Sequence, residues 1–388
     1  MAIISRITAH DQIQNDDQDK HGLSLAWRLT GGIPNNVTTE MDLKLWQTAK
    51  TIQDDDSSRT LFQTMPAQIL ARQYLQQSLP PAAQEAIRLF MNLYGMRGIG
   101  ELDLGRPRWR EDPTHIIQVL QNYMGIENEQ LAPDKVFDEG RRRSFKVLDD
   151  YTMAMRSAPL SRLKAGIIRW LTIRMRTFAG LRESPKFLII RIMGILRKGF
   201  LEVGSELADA GVIRSPDDLF FLNLAQLEAL SRREIHGWAG IIAKNRERYA
   251  RELKRRQIPR VLISDGRAFH EGVITLPVTG ETILQGMPVS AGSVEGTARI
   301  VFDPLQAHLS PGDIMVCTGT DPAWTPLFLA ISGLVMEMGG VMTHGSVVAR
   351  EYGIPAVVGV NQVTRLIKNG QHIRVDGSTG RITVLDNQ

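Results

Sequence analysis

The sequence predicts a multidomain α+β fold, in which an α-rich domain is followed by a smaller β/β/α domain. Three observations support this prediction. Apolar residues recur every three or four positions through most of the first two-thirds of the 388 residues, which is the helical period. Near Pro259 the pattern changes to short β-rich runs broken by Gly, Pro and Asp. After Gly312, strand-like and helix-like segments alternate, which is typical of a compact α/β unit.

Length and composition limit the class of protein. A chain of this length holds two or three domains. The formal net charge of +4 does not demand a nucleic-acid partner. The single cysteine, Cys317, excludes an internal disulfide framework and suits a reducing compartment. The longest apolar runs contain arginines and are too short for a membrane span. We therefore expect a cytoplasmic protein that binds neither nucleic acid nor membrane.

The helical part begins after a polar N-terminal segment. Residues 1–22 are rich in Asp, Gln and Asn, and we expect them to be flexible. Pro81 suits the first turn of a helix, and Asp112-Pro113-Thr114 is expected to open another that stops at Gly125. Two long helices follow, and Ser184-Pro185 provides the cap and first turn of the second.

The C-terminal part alternates between strands and helices. Three apolar runs, "GDIMVCTGT", "SGLVMEMGG" and "IPAVVGV", predict buried strands, and "GQHIRVDGSTGRITVL" predicts a closing hairpin. The segments "PAWTPLFLAI" and "HGSVVAREYG" predict helices between them. The segment around 265–282 is suited to a linker between the two parts.

The stretch "GGVMTHGSVVAREYG" contains the candidate for chemistry, His344. Two glycines, Gly339 and Gly340, end an apolar run and permit a tight turn. If a helix begins at His344, its first amides are unpaired and favour an anion beside the ring. Imidazole is nucleophilic near neutral pH, so His344 is able to accept and pass on a phosphoryl group. The alternative is an inert histidine at an ordinary helix start, and the local residues alone favour that alternative.

A resemblance to a known family favours the phosphoryl-carrying role of His344 over the inert one. The motifs "GGVMTH", "AREYGIPAVVG" and "DGSTG", in this order, resemble the swivelling phosphohistidine domain of the phosphoenolpyruvate-utilising enzymes over about Gly286 to Ile382. The resemblance implies that His344 carries the phosphoryl group, and that this domain moves between two stations. Thr343 is then the orienting or capping residue. The residues expected to cradle the phosphate are Gly339, Gly340, Gly345 and Ser346.

The upstream part narrows the choice within this family. "YGMRGIGELDLGRPRWREDPT" and "LRESPKF" resemble the middle domain of rifampicin phosphotransferase-type proteins. The segment after His344 is too short for the substrate-binding barrel that pyruvate phosphate dikinase carries there, so the rifampicin phosphotransferase order fits better. By this resemblance, residues 23–266 form the acceptor-binding domain, 267–281 the hinge and 282–388 the phosphohistidine domain.

Two departures from the family pattern matter. No segment resembles the ATP-grasp nucleotide-binding domain of these enzymes, and there is no "GxxxxGK[ST]" motif. We therefore expect no cofactor or metal bound by this chain alone, with ATP and Mg²⁺ supplied through a separate ATP-grasp protein or domain. Met96 stands where many relatives have a histidine, which weakens the transfer of polar acceptor contacts to that position.

Other charged residues are weaker candidates. Arg97 and Glu101 lie in a glycine-containing loop, where they line an acceptor or phosphate pocket or form a salt-bridged connection. Arg141 and Arg142 belong to a basic cluster that serves phosphate docking or, more simply, forms a solvated helix face.

The resulting expectation is a phosphotransferase component that carries a phosphoryl group on His344 from ATP to the hydroxyl of a small-molecule acceptor. Two alternatives stay open. One is a subunit of a biosynthetic enzyme of the same family that phosphorylates or condenses its substrate. The other is a non-catalytic binding or regulatory relative.

Overall fold

The computed structural model describes residues 28–126, 132–154, 161–232, 234, 237–254, 259, 261–269, 283–304, 307 and 309–385. The N-terminal segment 1–22 lies outside the described residues, as does most of the expected hinge.

Helices dominate the first two-thirds of the described chain, as the periodicity predicts. Pro81, Thr114 and Ser184 each open a helix, which confirms the three predicted starts. None of the described helices combines the length and the apolar character needed to cross a bilayer. The helices are α1 Val37–Asp54, α2 Asp56–Thr64, α3 Ala67–Leu75, α4 Pro81–Tyr94, α5 Thr114–Met124, α6 Pro133–Ala154, α7 Ser161–Leu181, α8 Ser184–Asp209, α9 Leu224–Ser231 and α10 Trp238–Leu253.

The C-terminal third is built on a mixed sheet. After a short hairpin, β1 (Val261–Leu262) and β2 (Ala268–Phe269), the described residues form eight further strands and two helices. These elements are β3 Ile283–Gln285, β4 Met287–Ser290, β5 Ser293–Val301, β6 Asp313–Cys317, β7 Ile331–Met336, α11 His344–Tyr352, β8 Ala356–Val358, α12 Val363–Leu366, β9 His372–Asp376 and β10 Arg381–Val384. The sheet order is β3-β10-β9-β5-β6-β7-β8-β4. Strands β5 to β8 pair in parallel, and the β9–β10 pair is the predicted closing hairpin.

Both faces of the sheet are buried at β6 and β8, which explains why β6 reads as a continuous apolar run. Met315 and Cys317 pack on one face, in the same cluster as Val348 of α11. Ile314 and Val316, which alternate with them, pack on the opposite face. The first face thus fixes α11 against the sheet.

One predicted helix has a different form. The segment Pro322–Ala330 is a 3₁₀ helix rather than an α-helix. Pro326 has no backbone N–H and cannot donate the hydrogen bond that a continuous α-helix requires at its position.

The described residues fall into two compact units. The first unit draws on 1–87, 115–185 and 272–388, and therefore contains the mixed sheet together with α1, α5, α6 and α7. The second unit draws on 88–114 and 186–271. The architecture is thus α+β, and the division into acceptor domain, hinge and phosphohistidine domain stays a prediction.

Candidate functional site

His344 is the first residue of α11, at the end of the loop that follows β7. The loop turns at Gly339, whose φ of 142° is accessible to glycine but strained for other residues. The helix ends at Gly353 in the left-handed conformation, a common helix stop. Local sequence signals therefore determine where the histidine stands, as the glycine pattern predicts.

Thr343 occupies the N-cap position, but its hydroxyl does not cap a backbone amide of α11. Instead Oγ1 donates to the carbonyl oxygen of Gly340 at 2.8 Å and lies 3.0 Å from Oγ of Ser346. Thr343 therefore closes the loop on itself and links it to the first turn of the helix. This contact holds the loop in place rather than satisfying the helix end.

The imidazole of His344 is half-buried and has a specific partner. Its Nε2 lies 3.1 Å from Oγ1 of Thr325, a residue of the 3₁₀ helix that is only 1% exposed. The structure thus places a buried hydroxyl group against a ring nitrogen of the histidine that the sequence assigned to phosphoryl transfer. Sequence reasoning missed Thr325, because it treated the segment "PAWTPLFLAI" only as a helix.

The first turn of α11 is tightly packed at its inner side. Ser346 is fully buried, and a Cβ at Gly345 would lie 2.4 Å from Oγ1 of Thr320 and 2.9 Å from Cε of Met336. A Cβ at Gly340, by contrast, would meet nothing within 4 Å. The four residues expected to cradle a phosphate therefore lie in the loop and first helical turn that contain His344, with open space at Gly340 and close packing at Gly345 and Ser346.

Two arginines brace the loop through its carbonyl groups. Arg350 donates from Nη1 to Val289 O at 3.0 Å and from Nη2 to Val341 O at 2.7 Å. Burial lowers the pKa of Arg350 to about 10, so the guanidinium stays charged at neutral pH. Arg182 donates from Nη1 to Met342 O at 2.8 Å. Two positive charges thus lie beside the loop, one of them from the "LRESPKF" segment.

The other end of α11 is hydrogen-bonded to the start of α1. Glu351 is buried and accepts hydrogen bonds from Asn36 Nδ2 at 2.9 Å and Thr39 Oγ1 at 2.6 Å. Burial raises the pKa of Glu351 to about 7, against the opposing effect of these hydrogen bonds.

Arg97 and Glu101 lie in the second unit and form a buried pair. Two hydrogen bonds of 3.0 Å join the guanidinium to the carboxylate, and Lys186 Nζ is 3.3 Å from the same carboxylate. Burial opposes ionisation of Glu101, but the charges of Arg97 and Lys186 hold its pKa below the usual value. This geometry matches the salt-bridged loop that the sequence left open as an alternative.

Arg141 and Arg142 lie on an exposed face of α6. Arg141 pairs with Asp138 at 3.1 Å and Arg142 with Glu139 at 4.0 Å, each one helical turn away.

Within the described part of the chain, no group of three or more His, Cys, Asp or Glu side chains is arranged to hold a metal ion. Of the predicted site residues, Gly339, Gly340, Thr343, Gly345 and Ser346 lie in the loop and first helical turn that contain His344.

Comparison with known proteins agrees with this placement. The family described as the rifampicin phosphotransferase fourth domain matches residues 1–183, and the mobile domain of phosphoenolpyruvate-utilising enzymes matches residues 309–380. His344 lies within the second match.

Curated relatives match across most of the chain. The chain is 37% identical to a rifampicin phosphotransferase of Streptomyces sviceus and 34% identical to one of Bacillus subtilis, each over 92% of this chain and 41% of the relative. It is 26% identical to the prodigiosin synthesizing transferase PigC of Serratia marcescens, over 94% of this chain and 40% of that protein. The chain thus spans about two-fifths of the length of these relatives. Residues 309–380 therefore belong to the mobile-domain family of the phosphoenolpyruvate-utilising enzymes, and the chain is similar to rifampicin phosphotransferases over most of its length.

Proposed function

We propose that this chain is a phosphotransferase component in which His344 receives a phosphoryl group from ATP and delivers it to the hydroxyl of a small-molecule acceptor. The observation that carries the proposal is the placement of His344. The ring stands half-buried at the first position of α11, within the matched mobile domain, and its Nε2 is 3.1 Å from a buried hydroxyl. An inert surface histidine does not require such a partner.

The chemistry has two halves. In the first, an unprotonated ring nitrogen of His344 attacks a phosphorus atom of ATP. For transfer of the β-phosphoryl group, an N–P bond forms at the β-phosphorus and the α–β P–O bond breaks with its electron pair leaving on AMP, and water then displaces the γ-phosphate as inorganic phosphate. In the second half, the acceptor oxygen attacks the same phosphorus. An O–P bond forms, the N–P bond breaks with its electron pair returning to the ring, and the hydroxyl proton passes to solvent.

The chain's own groups supply position and charge. The amides of Gly345 and Ser346 belong to the first turn of α11, where backbone donors favour an anion. Arg350 adds positive charge beside the loop, which favours the phosphorylated state electrostatically, whereas the charge of Arg182 is paired with Glu183. Phosphoryl transfer depends mainly on such positioning and charge neutralisation.

The donor and the movement are further parts of the proposal. ATP and Mg²⁺ are taken to enter through a separate ATP-grasp protein or domain, with residues 282–388 moving about a hinge at 267–281. The match to the mobile domain, which spans 309–380, supports this division. Residues 23–266 are then the acceptor-binding domain, which the match to the rifampicin phosphotransferase fourth domain over 1–183 supports.

The acceptor is inferred from the relatives' names. Four rifampicin phosphotransferases, 34% to 37% identical to this chain, favour rifampicin or a related bulky alcohol. The match to a prodigiosin synthesizing transferase favours a second candidate, a biosynthetic enzyme that activates its substrate by phosphorylation.

The test uses ATP labelled at the β-phosphate and the nucleotide-binding part of a rifampicin phosphotransferase as donor partner. We expect label on this chain only when the partner is present, and its transfer to added rifampicin. His344→Ala should abolish labelling, whereas replacement of His372, an exposed residue of β9, by alanine should not. Labelled chain that passes nothing to rifampicin but loses its label to a precursor of prodigiosin would favour the biosynthetic candidate. Absence of label with a partner that phosphorylates its own histidine domain would contradict the phosphocarrier role.

A further inference from the structure

Thr325 is held rigidly beside the site by its neighbours in the 3₁₀ helix. Trp324, Leu327 and Phe328 are buried in the same apolar cluster as Val348 and Ala349 of α11. The 3₁₀ helix and α11 therefore share one packed core. The hydroxyl of Thr325 cannot leave the ring of His344 without disturbing that core.

We propose that Thr325 is a positioning residue that orients the imidazole of His344 and selects one of its two tautomers for phosphoryl transfer. The inference rests on the proposed function of His344. The hydroxyl lies 3.1 Å from Nε2 and is 1% exposed, so bulk water does not replace it easily. A fixed partner at this nitrogen restricts rotation of the ring about its bond to Cβ.

Selection of a tautomer follows from the chemistry of the pair. In a neutral imidazole one nitrogen carries the proton and the other the lone pair, and only the lone pair attacks phosphorus. The Thr325 hydroxyl is able to donate to an unprotonated Nε2 or to accept from a protonated one, and the role that it takes fixes which ring nitrogen keeps the lone pair. The nucleophilic nitrogen is then aimed before the phosphoryl donor arrives, which lowers the entropic cost of the reaction.

The same hydroxyl is suited to both stages of the cycle. When the N–P bond has formed, the phosphoryl group brings three acceptor oxygens to the ring, and the Thr325 hydroxyl is able to donate to one of them. A valine at this position offers neither contact. A serine retains the hydroxyl and loses only a methyl group.

The experiment compares Thr325→Val, Thr325→Ser and a matched control, Thr383→Val. Thr383 is a buried residue of β10, which is four strands away from β7 in the sheet order. Each variant of the full chain is phosphorylated with phosphoramidate, which needs no partner protein: the ring nitrogen forms the N–P bond and ammonia leaves with the electron pair. The rate of phosphorylation of His344 is followed by ³¹P NMR. The tautomer is read from the ¹⁵N shifts of the His344 ring, and urea unfolding reports the fold.

We expect Thr325→Val to slow phosphorylation of His344 by roughly three- to tenfold, the effect of one lost hydrogen bond, and to give averaged ¹⁵N shifts of a tautomer mixture. Thr325→Ser should restore the rate to within about twofold, and the single tautomer with it. Thr383→Val should behave as the wild type. A merely structural role would move unfolding without moving the tautomer.

Two results would overturn the inference. One is a folded Thr325→Val variant with the wild-type tautomer and rate. The other is loss of rate in both Thr325 variants with no recovery by serine. If the wild-type chain itself takes no phosphoryl group on His344, the proposed function fails, while the tautomer shifts still decide whether Thr325 orients the ring.

Discussion

Glu351 of α11 accepts a 2.6 Å hydrogen bond from the hydroxyl of Thr39 in α1. Asn36, the N-cap residue of α1, donates to the other carboxylate oxygen at 2.9 Å. The end of the helix that begins at His344 is therefore joined to the start of a helix more than 300 residues earlier in the chain. This contact is buried, so its loss has consequences for stability that single substitutions measure.

Replacing Glu351 with alanine should destabilise the protein by roughly 2–4 kcal/mol, because Asn36 and Thr39 then remain buried without their acceptor and a cavity is left. Glu351→Gln should cost less, since the amide retains one acceptor and supplies a donor. Urea unfolding of both variants checks this order. Glu295→Ala, at an exposed surface pair with Arg374, is the control and should cost no more than about 1 kcal/mol. Equal losses for Glu351→Ala and Glu295→Ala would contradict the buried contact.

The pH dependence of stability should carry the signature of Glu351. Burial raises its pKa in the folded chain to about 7 from the usual 4.5, so the folded state binds the proton more tightly than the unfolded state. The contribution of this group to the free energy of unfolding is therefore largest at low pH, and it falls as the pH rises from about 4.5 to about 7. The free energy of unfolding of the wild type minus that of Glu351→Gln should therefore decrease as the pH rises through this range. A difference that is constant or grows with pH would refute the raised pKa.

The pKa of Asp42 should change when a tyrosine that donates a hydrogen bond to it is replaced by phenylalanine. Its carboxylate accepts hydrogen bonds from Tyr123 of α5 and Tyr352 of α11, and burial raises its pKa to about 6 despite them. Tyr352→Phe should raise this pKa further, because a bond that favours the charged form is lost, and should cost roughly 1–3 kcal/mol of stability. Carboxyl ¹³C NMR titration measures the first effect and urea unfolding the second. The control is Tyr249→Phe. The hydroxyl of Tyr249 donates to Asp103 and not to Asp42, so this variant should leave the pKa of Asp42 unchanged. An unchanged pKa in Tyr352→Phe would be inconsistent with the contact.

The glycines around His344 should differ in their tolerance of a side chain. A Cβ at Gly345 would clash with Thr320 and Met336, whereas a Cβ at Gly340 would enter open space. Gly345→Ala should lower the free energy of unfolding by roughly 1–3 kcal/mol, the range for overpacking a buried site. Gly340→Ala should change stability by less than about 0.5 kcal/mol, the range of ordinary surface substitutions. Thermal or urea unfolding of the two variants measures these losses of stability. A larger loss for Gly340→Ala than for Gly345→Ala would show that the packing around Gly345 is looser than the structure indicates.

Local sequence signals were sufficient for much of the fold. The start of α11 at His344, the N-cap position of Thr343 and the buried strand at 313–317 all follow from glycine positions and apolar runs. These features depend on residues close together in the chain, where periodicity and turn chemistry act directly. The sequence predicts a helix at Pro322–Ala330, but the apolar pattern does not show that it is a 3₁₀ helix.

Contacts between distant segments could not be predicted in this way. Thr325 contacts His344 across 19 residues and a strand, and Glu351 meets Thr39 across 312. A single sequence contains no signal for such pairs, because they depend on how whole elements pack. Arg97 and Glu101 illustrate the reverse case. Their types suggested either a ligand site or a salt bridge, and only the bidentate geometry and burial reveal the salt bridge.

The central claim is that His344 carries the phosphoryl group, and the most direct measurement is the location of that group by mass spectrometry. The chain is labelled from ATP through the nucleotide-binding part of a rifampicin phosphotransferase and digested at neutral to alkaline pH, where phosphohistidine survives. We predict one acid-labile phosphoryl group on the peptide that contains His344, still present in His372→Ala and absent in His344→Ala. A phosphoryl group on any other residue, or equal labelling of the His344→Ala variant, would contradict the account.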